Sequence, residues 1–243
     1  MFCYNPLMTK IHFTANGYTL AGNIFVATKP QNLAFLFIQG WMGRQNTKAA
    51  QKLAELGFTS MTYDMRGNGA SKGNLAEFSR ADFIRDAVVA YDYLRQQVGD
   101  DTRIGIVGSS FGSYTGILLT EEREVYCLSL RVPANYPDEG FEDPQMPQAG
   151  TDALMAWRHK TLHYQDNRAL RALHDFKGPV HIVESENDDL VPHQTLQNYA
   201  LAVADPTLLR YDLMKNAPHS LLDAELQASH QRLLVDWVQT EAV

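Results

Sequence analysis

Residues 103–112 read RIGIVGSSFG, an apolar run that ends in a serine between two glycines. Short apolar runs bounded by glycine are typical of strands that are buried on both faces of a sheet. The segment GSSFG, residues 108–112, also fits the G-x-S-x-G pattern, in which a tight strand-to-helix turn raises one serine above the sheet. On these letters alone, an ordinary turn and a helix start capped by Ser109 or Ser110 is the simpler interpretation.

The chain on both sides of this segment alternates apolar runs with helical patterns. The predicted strands cover residues 10–14, 18–26, 33–38, 58–63, 103–107, 125–132, 179–184 and 207–213. The predicted helices cover residues 46–56, 79–97, 112–120, 193–204 and 223–240. This alternation is typical of a mainly parallel sheet with helices on both faces. An antiparallel hairpin that turns at Asn16-Gly17 precedes it, so the expected fold is α/β with about eight strands.

Composition restricts the class of protein. The chain has 243 residues, of which 45% are hydrophobic, and this is enough to bury a sizeable core. Its ten prolines do not mark a linker, so we expect one domain over residues 1–243. The formal net charge of -7 argues against a nucleic-acid partner, because such proteins carry basic patches. The two cysteines, Cys3 and Cys127, argue against a disulfide framework and fit a reducing compartment.

Targeting signals and metal-binding spacings are not recognisable in the sequence. The start, MFCYNPLMTK, lacks the cationic and apolar regions of a secretory signal. The run LAFLFI, residues 33–38, is far shorter than the roughly 20 residues needed to cross a bilayer. We therefore expect a cytoplasmic protein without a membrane partner. Histidines and cysteines do not pair at the spacings of structural zinc sites, so neither a metal nor another cofactor is predicted.

Chemically active side chains lie in the loops that follow the predicted strands. Ligands of parallel α/β sheets bind at the carboxyl ends of the strands, so these loops are expected to form the site. The loop after strand 103–107 offers a serine, ESENDDLVP after strand 179–184 offers acids, and KNAPHS after strand 207–213 offers a histidine. Serine, then acid, then histidine is the chain order of an α/β-hydrolase triad.

Four motifs in register resemble those of the α/β-hydrolase superfamily. GSSFG resembles the nucleophile elbow, and QGWMG, residues 39–43, is similar to the HGxxG oxyanion loop. DMRGNGAS, residues 64–71, is similar to the D-x-R-G-x-G-x-S loop, and DDLVP, residues 188–192, to the D-x-x-V-P acid turn. The resemblance runs from about Ile11 to Val238 and is strongest to small single-domain esterases of the dienelactone-hydrolase and cinnamoyl-esterase type. It implies the α/β-hydrolase fold.

The resemblance also implies three catalytic roles. Ser110 matches the nucleophile, and His219 matches the general base that takes the serine proton. Asp188 matches the acid that orients the imidazole, with Asp189 and Glu186 as alternatives. The other histidines fall in predicted strands, helices or helix starts: His12, His159, His163, His174, His181, His193 and His230.

Loop positions suggest the remaining parts of the site. The backbone N–H groups of Trp41 and Phe111 match an oxyanion hole, and their side chains fit core packing and pocket lining equally well. Gln39 departs from the family pattern, because a histidine usually precedes this glycine. Asp64 and Arg66 match residues that brace a loop, so we expect them to be structural.

Residues 131–178 lie where hydrolases of this superfamily insert a cap. A proline-rich and acidic stretch followed by an amphipathic pattern over 151–165 predicts a small cap, made of a mobile loop and one or two helices. Arg131 either holds a substrate carboxylate or pairs with a local acid, Asp138 or Glu139. The candidate substrate-binding residues are Met42, Arg131, Tyr136 and Trp157.

These expectations predict a serine hydrolase that cleaves a small to medium carboxylic ester, a small-molecule substrate, through an acyl-Ser110 intermediate. An acyltransferase or a thioesterase would use the same triad. A ligand-binding protein without turnover would keep the fold. A dehalogenase is disfavoured because position 110 is a serine, and a peptidase because no extra N-terminal domain is recognised. The sequence does not indicate an oligomeric state.

Overall fold

The computed structural model describes residues 6–145 and 150–242, which form an eight-stranded sheet of spatial order β1-β2-β4-β3-β5-β6-β7-β8. The strands are β1 (Leu7–Ala15), β2 (Tyr18–Val26), β3 (Leu33–Ile38), β4 (Ser60–Tyr63), β5 (Arg103–Ser109), β6 (Leu128–Arg131), β7 (Val180–Asn187) and β8 (Leu209–Pro218). The β1-β2 and β2-β4 pairs are antiparallel, and all other neighbours are parallel. The predicted α/β architecture is therefore confirmed.

Seven α-helices among the described residues cover both faces of this sheet. They are α1 (Thr47–Glu55), α2 (Arg80–Val98), α3 (Phe111–Leu119), α4 (Asp152–Arg158), α5 (Arg168–Asp175), α6 (His193–Ala202) and α7 (Ala224–Thr240). Side chains of β3 divide between two cores: the odd-numbered residues pack with α1 and α7, and the even-numbered residues with α2 and α3. None of the helices in the described residues is long and apolar enough to cross a membrane.

Helix boundaries follow the capping signals in most places. Ser79 begins α2 with a capping box to Asp82, and Gly99 ends it with a φ of 84°. The cap segment 131–178 contains two helices, α4 and α5, in agreement with the predicted one or two, but α5 lies beyond the amphipathic pattern over 151–165. Its signal was present, because Asn167 caps the helix and small or apolar residues recur on one face: Ala169, Leu170, Ala172 and Leu173.

Three strands run further than predicted and end directly before candidate residues. β5 reaches Ser109, β7 reaches Asn187 and β8 reaches Pro218. The last residues of β7 are exposed, and β8, an edge strand, buries few of its residues, so neither continues as an apolar run. The parallel strands therefore deliver Ser110, Asp188 and His219 to the same edge of the sheet.

Candidate active site

Ser110 lies in a strained turn between β5 and α3. Its backbone has φ 54° and ψ −116°, a region that residues other than glycine rarely adopt. Its N–H donates to the carbonyl of Arg131 at 2.8 Å, which ties the turn to β6. Gly112 packs on the end of β3, where a Cβ would come within 2.0 Å of the Ile38 carbonyl oxygen. The turn thus holds a partly exposed Ser110 at the carboxyl edge.

Strained backbone is concentrated at this edge. Met42 (φ 53°), Ser110, Val132 (φ 40°) and Asn216 (φ 57°) lie at or just beyond the ends of four strands. Among the described residues, one further non-glycine residue has a positive φ, Asn16 in the hairpin turn. Val132 is β-branched, and such a residue adopts this conformation only when the surrounding structure imposes it. Strain of this kind clusters at functional sites.

His219 and Asp188 form a buried pair. His219 Nδ1 lies 2.7 Å from Oδ2 and 2.9 Å from Oδ1 of Asp188, and the side chains are 13% and 3% exposed, respectively. An ionised carboxylate only accepts hydrogen bonds, so Nδ1 carries a proton and donates it to Asp188. Asp188 also accepts the N–H groups of Leu190 and Val191, at 2.9 and 2.8 Å, which fixes the acid turn.

The alternative acids are placed differently. Glu186 accepts the N–H of Asn216 at 2.7 Å, and Asp189 is exposed. The contact to Asp188 also distinguishes His219 from the other histidines of the described chain. No hydrogen bond joins Ser110 Oγ to His219 within residues 6–145 and 150–242, and such bonds are often long until substrate binds. We refer to Ser110, Asp188 and His219 as the candidate triad.

The two candidate oxyanion donors are adjacent to Ser110. In the described part of the chain, the N–H groups of Trp41 and Phe111 donate to no other group, and their rings contact each other with centroids 5.4 Å apart. A Cβ on Gly40 would lie 3.2 Å from the Ser109 carbonyl oxygen, so the QGWMG loop packs directly on the elbow. Phe111 begins α3, whose positive end favours a developing oxyanion.

Gln39, which replaces the usual histidine, is buried at the end of β3. Neither its amide nitrogen nor its amide oxygen has a hydrogen-bond partner among the described residues. The structure therefore gives no bond from Gln39 to a loop carbonyl. The Phe111 ring is fully buried, which supports core packing for this side chain, whereas Trp41 is only partly buried.

Arg131 points into the protein behind the candidate triad. Its Nη1 donates to Ser185 Oγ at 3.1 Å, and its Nη2 donates to the His219 carbonyl at 2.6 Å. The expected pairing with a local acid is wrong, because Asp138 instead accepts hydrogen bonds from residues 167–171. The Arg131 side chain is buried, so its guanidinium bonds internal acceptors. The sequence contains no motif that predicts Ser185 as one of them.

The other candidate substrate-binding residues occupy three different environments. Met42 is 63% exposed beside Trp41. Tyr136 is buried, and its ring packs on Phe111 and Tyr114 with centroids 5.7 and 5.0 Å away. Trp157 lies on α4, partly buried against the main core. Of these three, Met42 is the one with most of its surface open to a ligand.

The start of the cap segment 131–178 is buried and hydrogen-bonded to the rest of the protein. Its first six residues are all buried. Arg80, which is fully buried, donates to the carbonyls of Pro137 and Glu139, and Arg158 of α4 donates to the carbonyl of Asn135. These contacts hold the start of the cap against the rest of the protein, and the mobile loop stays a prediction. The expectation also covers residues 146–149, which lie outside the described residues.

The DMRGNGAS loop is braced from inside. Arg66 donates through Nε and Nη2 to the carboxylate of Asp86, at 2.8 and 2.5 Å. Asp64 accepts the N–H of Ala70 at 3.0 Å. Both observations agree with the structural role expected for these residues. Histidine, cysteine and carboxylate side chains do not form a group that could hold a metal ion within residues 6–145 and 150–242.

Comparison with known proteins identifies the family and the fold. A model of the family described as serine aminopeptidase, S33, matches residues 41–162, just over half of the chain. Among curated protein sequences, none matches this chain.

Solved structures of similar fold include several hydrolases. A complex of ferulic acid with Est1E from Butyrivibrio proteoclasticus has a TM-score of 0.71 at 17% identity, over 95% of this chain and 100% of that one. Dienelactone hydrolase from Anabaena variabilis has a TM-score of 0.70 at 15% identity, over 99% and 100%. An α/β serine hydrolase homologue from Coxiella burnetii has 0.68 at 18%, over 94% and 96%. At these identities the similarity confirms the expected fold.

Proposed function

Because this chain belongs to the α/β serine hydrolases of the serine aminopeptidase S33 family, we propose that it hydrolyses a small to medium carboxylic ester through the candidate triad. The observation that carries the proposal is the His219–Asp188 pair at the edge where Ser110 sits in strained backbone. A histidine whose Nδ1–H is held by a buried carboxylate has its Nε2 lone pair ready to accept a proton. The substrate is a small molecule, and no cofactor takes part in this chemistry.

The proposed reaction has two halves. In the first, His219 Nε2 takes the proton of Ser110 Oγ as the oxygen attacks the ester carbonyl, and the backbone N–H groups of Trp41 and Phe111 stabilise the oxyanion. Collapse of the tetrahedral intermediate breaks the bond to the alcohol, which leaves with the proton from His219. In the second half, water gives a proton to His219, attacks the acyl-Ser110 carbonyl and releases the acid and the free serine.

The side chains that are exposed near the carboxyl edge of the sheet are the candidates for substrate contact. We propose Met42 as a contact to the bound ester, because most of its surface is exposed beside Trp41. Tyr136 would act indirectly, by supporting Phe111, and Trp157 would act from the cap. We also propose that residues 1–243 form one hydrolase domain, with 131–178 as a small cap.

Pre-steady-state kinetics with p-nitrophenyl esters of increasing acyl length test the proposal. An acyl-enzyme mechanism predicts a burst of p-nitrophenol close to the enzyme concentration, followed by slower turnover. The His219→Ala variant should lose both phases, whereas His12→Gln, at an exposed position of β1, should keep them. Absence of a burst and of turnover across the series would contradict ester hydrolysis and favour a ligand-binding protein.

A second candidate is cleavage of an amide, because the description of the matching family contains an aminopeptidase. Aminoacyl p-nitroanilides in the same assay distinguish the two: the ester proposal predicts turnover of the esters without release of p-nitroaniline, and an aminopeptidase would release p-nitroaniline. Product analysis with added alcohols or thiols distinguishes hydrolysis from acyl transfer, since a transferase would give new esters or thioesters instead of acid.

A further inference from the structure

We propose that Arg131 is a positioning residue that joins the three segments of the candidate triad, so that its loss lowers kcat without raising KM. The inference rests on the proposed function, because kcat refers to turnover at that site. The contacts that carry it come from both the backbone and the side chain of Arg131.

The backbone of Arg131 supports the elbow. Arg131 is the last residue of β6 and lies opposite Ser109 in the parallel register. Its carbonyl oxygen accepts the N–H of Ser110 at 2.8 Å and the hydroxyl of Ser113 at 3.2 Å. The strained conformation of Ser110 is therefore held partly by this carbonyl. The next residue, Val132, has a positive φ, so the peptide group that contains the Arg131 carbonyl lies directly before a strained residue.

The side chain of Arg131 holds the other two segments. One arm of the guanidinium donates to Ser185 Oγ on β7, three residues before Asp188, and the other donates to the backbone carbonyl of His219. A planar guanidinium fixes both directions at once, which an ammonium group does not. The two bonds therefore set the distance between β7, which precedes Asp188, and the loop that contains His219. One residue thus touches the elbow, the strand that carries the acid, and His219 itself.

Electrostatics favour the same arrangement. Arg131 is 7% exposed, and burial lowers its pKa to about 10, so the side chain is still charged at neutral pH. Asp188 is the carboxylate whose negative charge counteracts this effect. A buried cation is costly to leave without compensation. The attraction between Arg131 and Asp188 therefore acts through the sheet on the carboxylate that holds the His219 ring.

A role in binding a substrate carboxylate does not fit these contacts. The side chain is almost wholly enclosed, and both arms of the guanidinium are occupied by Ser185 and His219. A positioning role and a substrate-binding role predict different kinetics, since the first changes kcat for all substrates and the second changes KM for anionic ones.

The test compares Arg131→Met and Arg131→Lys with Arg80→Met as a matched control. Arg80 is also a buried arginine that donates to two backbone carbonyls, but in the cap rather than at the triad. We expect Arg131→Met to lower kcat by about 10- to 100-fold, as misplacement of catalytic groups by about 1 Å does. KM should stay within about twofold for a neutral ester and for one that carries a free carboxylate, because Arg131 does not contact the substrate.

Arg131→Lys should recover part of the loss, because it keeps the charge and one of the two bonds. It also serves as the test variant if Arg131→Met does not fold. Arg80→Met should lower Tm and leave kcat unchanged. A rise in KM confined to the anionic ester would overturn the positioning role. Equal losses of kcat in Arg80→Met and Arg131→Met would do so as well, because the effect would then follow stability.

A second readout is independent of turnover. The His219 Nδ1–H that donates to Asp188 should give a far-downfield proton resonance in NMR spectra, absent in His219→Ala. The inference predicts that this resonance shifts or disappears in Arg131→Met and stays unchanged in Arg80→Met and Ser110→Ala. If the resonance responds as predicted but the protein hydrolyses no ester, the proposed function fails and the positioning role stands. If turnover depends on Ser110 but the resonance and kcat ignore Arg131, only the inference fails.

Discussion

Two serine–histidine–aspartate constellations occur in this molecule, the candidate triad and a second one formed by Ser129, His181 and Asp212. In the second, which we call the buried triad, Ser129 Oγ lies 3.2 Å from His181 Nδ1, and His181 Nε2 lies 2.9 Å from an Asp212 carboxylate oxygen. The carboxylate accepts from Nε2–H, so Nδ1 accepts from the serine hydroxyl. The residue types thus match those of a working triad, but the two ring nitrogens are exchanged, because Nε2 rather than Nδ1 bonds the aspartate.

The buried triad and the candidate triad differ in solvent exposure, in backbone conformation and in the availability of backbone N–H donors. Ser129 lies inside β6 and is 1% exposed, and His181 is 0% exposed and stacked on Trp237. Backbone N–H groups inside a central parallel strand belong to the ladder and cannot serve an oxyanion. The candidate triad instead lies at strand ends, with strained backbone and two free N–H groups beside it. Position at the sheet edge, rather than residue identity, therefore distinguishes the candidate triad from the buried triad.

The largest expected contrast is between the two serines. Ser110→Ala should lower kcat by a factor on the order of 10⁶, as loss of a triad nucleophile does. Ser129→Ala should leave kcat within about twofold, because its hydroxyl supports only a buried histidine. Steady-state rates on the best p-nitrophenyl ester measure both. A loss of activity in Ser129→Ala without loss of folded protein would break the comparison.

The two aspartates give the next contrast. Asp188→Asn should lower kcat on the order of 10⁴, because the amide no longer fixes the His219 tautomer. Asp212→Asn should leave kcat nearly unchanged but reduce the free energy of unfolding by about 1–3 kcal/mol, because it disturbs a hydrogen-bonded buried histidine. Kinetics and urea denaturation of both variants check this. If Asp212→Asn were inactive yet equally stable, the structural role of the buried triad would be wrong.

Acid sensitivity of the fold should arise from the buried histidines. Burial lowers the pKa of His181 to about 4 and, with the positive charge of Arg131, that of His230 to about 3. In the unfolded chain a histidine titrates near about 6.5, so the unfolded state binds more protons below that pH. Stability should therefore be full above about pH 6.5 and fall below it, by up to about 1.4 kcal/mol per pH unit for each histidine.

Urea denaturation between pH 7.5 and 5, in steps of about half a unit, measures this slope within the window where histidines titrate. His181→Gln should lower stability at pH 7.5 and remove about half of the pH dependence, since it removes one of the two buried histidines. A wild-type stability that stays constant from pH 7.5 to 5 would contradict the placement of both side chains.

The smallest expected effect is the alkylation of Cys127, whose thiol is a potential nucleophile besides Ser110 and Ser129. Cys127, the residue before β6, is fully buried in the core on one face of the sheet, and burial raises the pKa of its thiol. Iodoacetamide should therefore leave Cys127 unmodified in the native protein and modify it completely in denaturant. Peptide mass spectrometry reads the result. Fast native alkylation would show that this part of the sheet is open, which would also weaken the distinction between the two triads.

The fold and the positions of the candidate triad could be predicted from the sequence, because they depend on short sequence motifs. Glycines around Ser110 signalled the tight turn, and Val191-Pro192 set the register of the acid turn. The buried triad could not be predicted, because His181 meets Ser129 only through the parallel register of β6 with β7. Asp212 joins from the next strand.

The orientation of Arg131 was likewise not predictable, since its position at a strand end fits both a ligand contact and an internal one. Burial and the location of the His219 carbonyl decide between them, and both are properties of the folded chain. Tyr136 is predicted to line the pocket because it is an aromatic residue of the cap segment. Its aromatic ring is used in the core, against Phe111 and Tyr114.

The most direct test of the central claim is labelling of the wild-type protein with a fluorophosphonate, followed by peptide mass spectrometry. We expect one adduct, on Ser110, that disappears in Ser110→Ala and His219→Ala and persists in Ser129→Ala and His181→Gln. An adduct that survives the loss of His219, or none at all, would contradict the assignment of Ser110 as the nucleophile activated by His219.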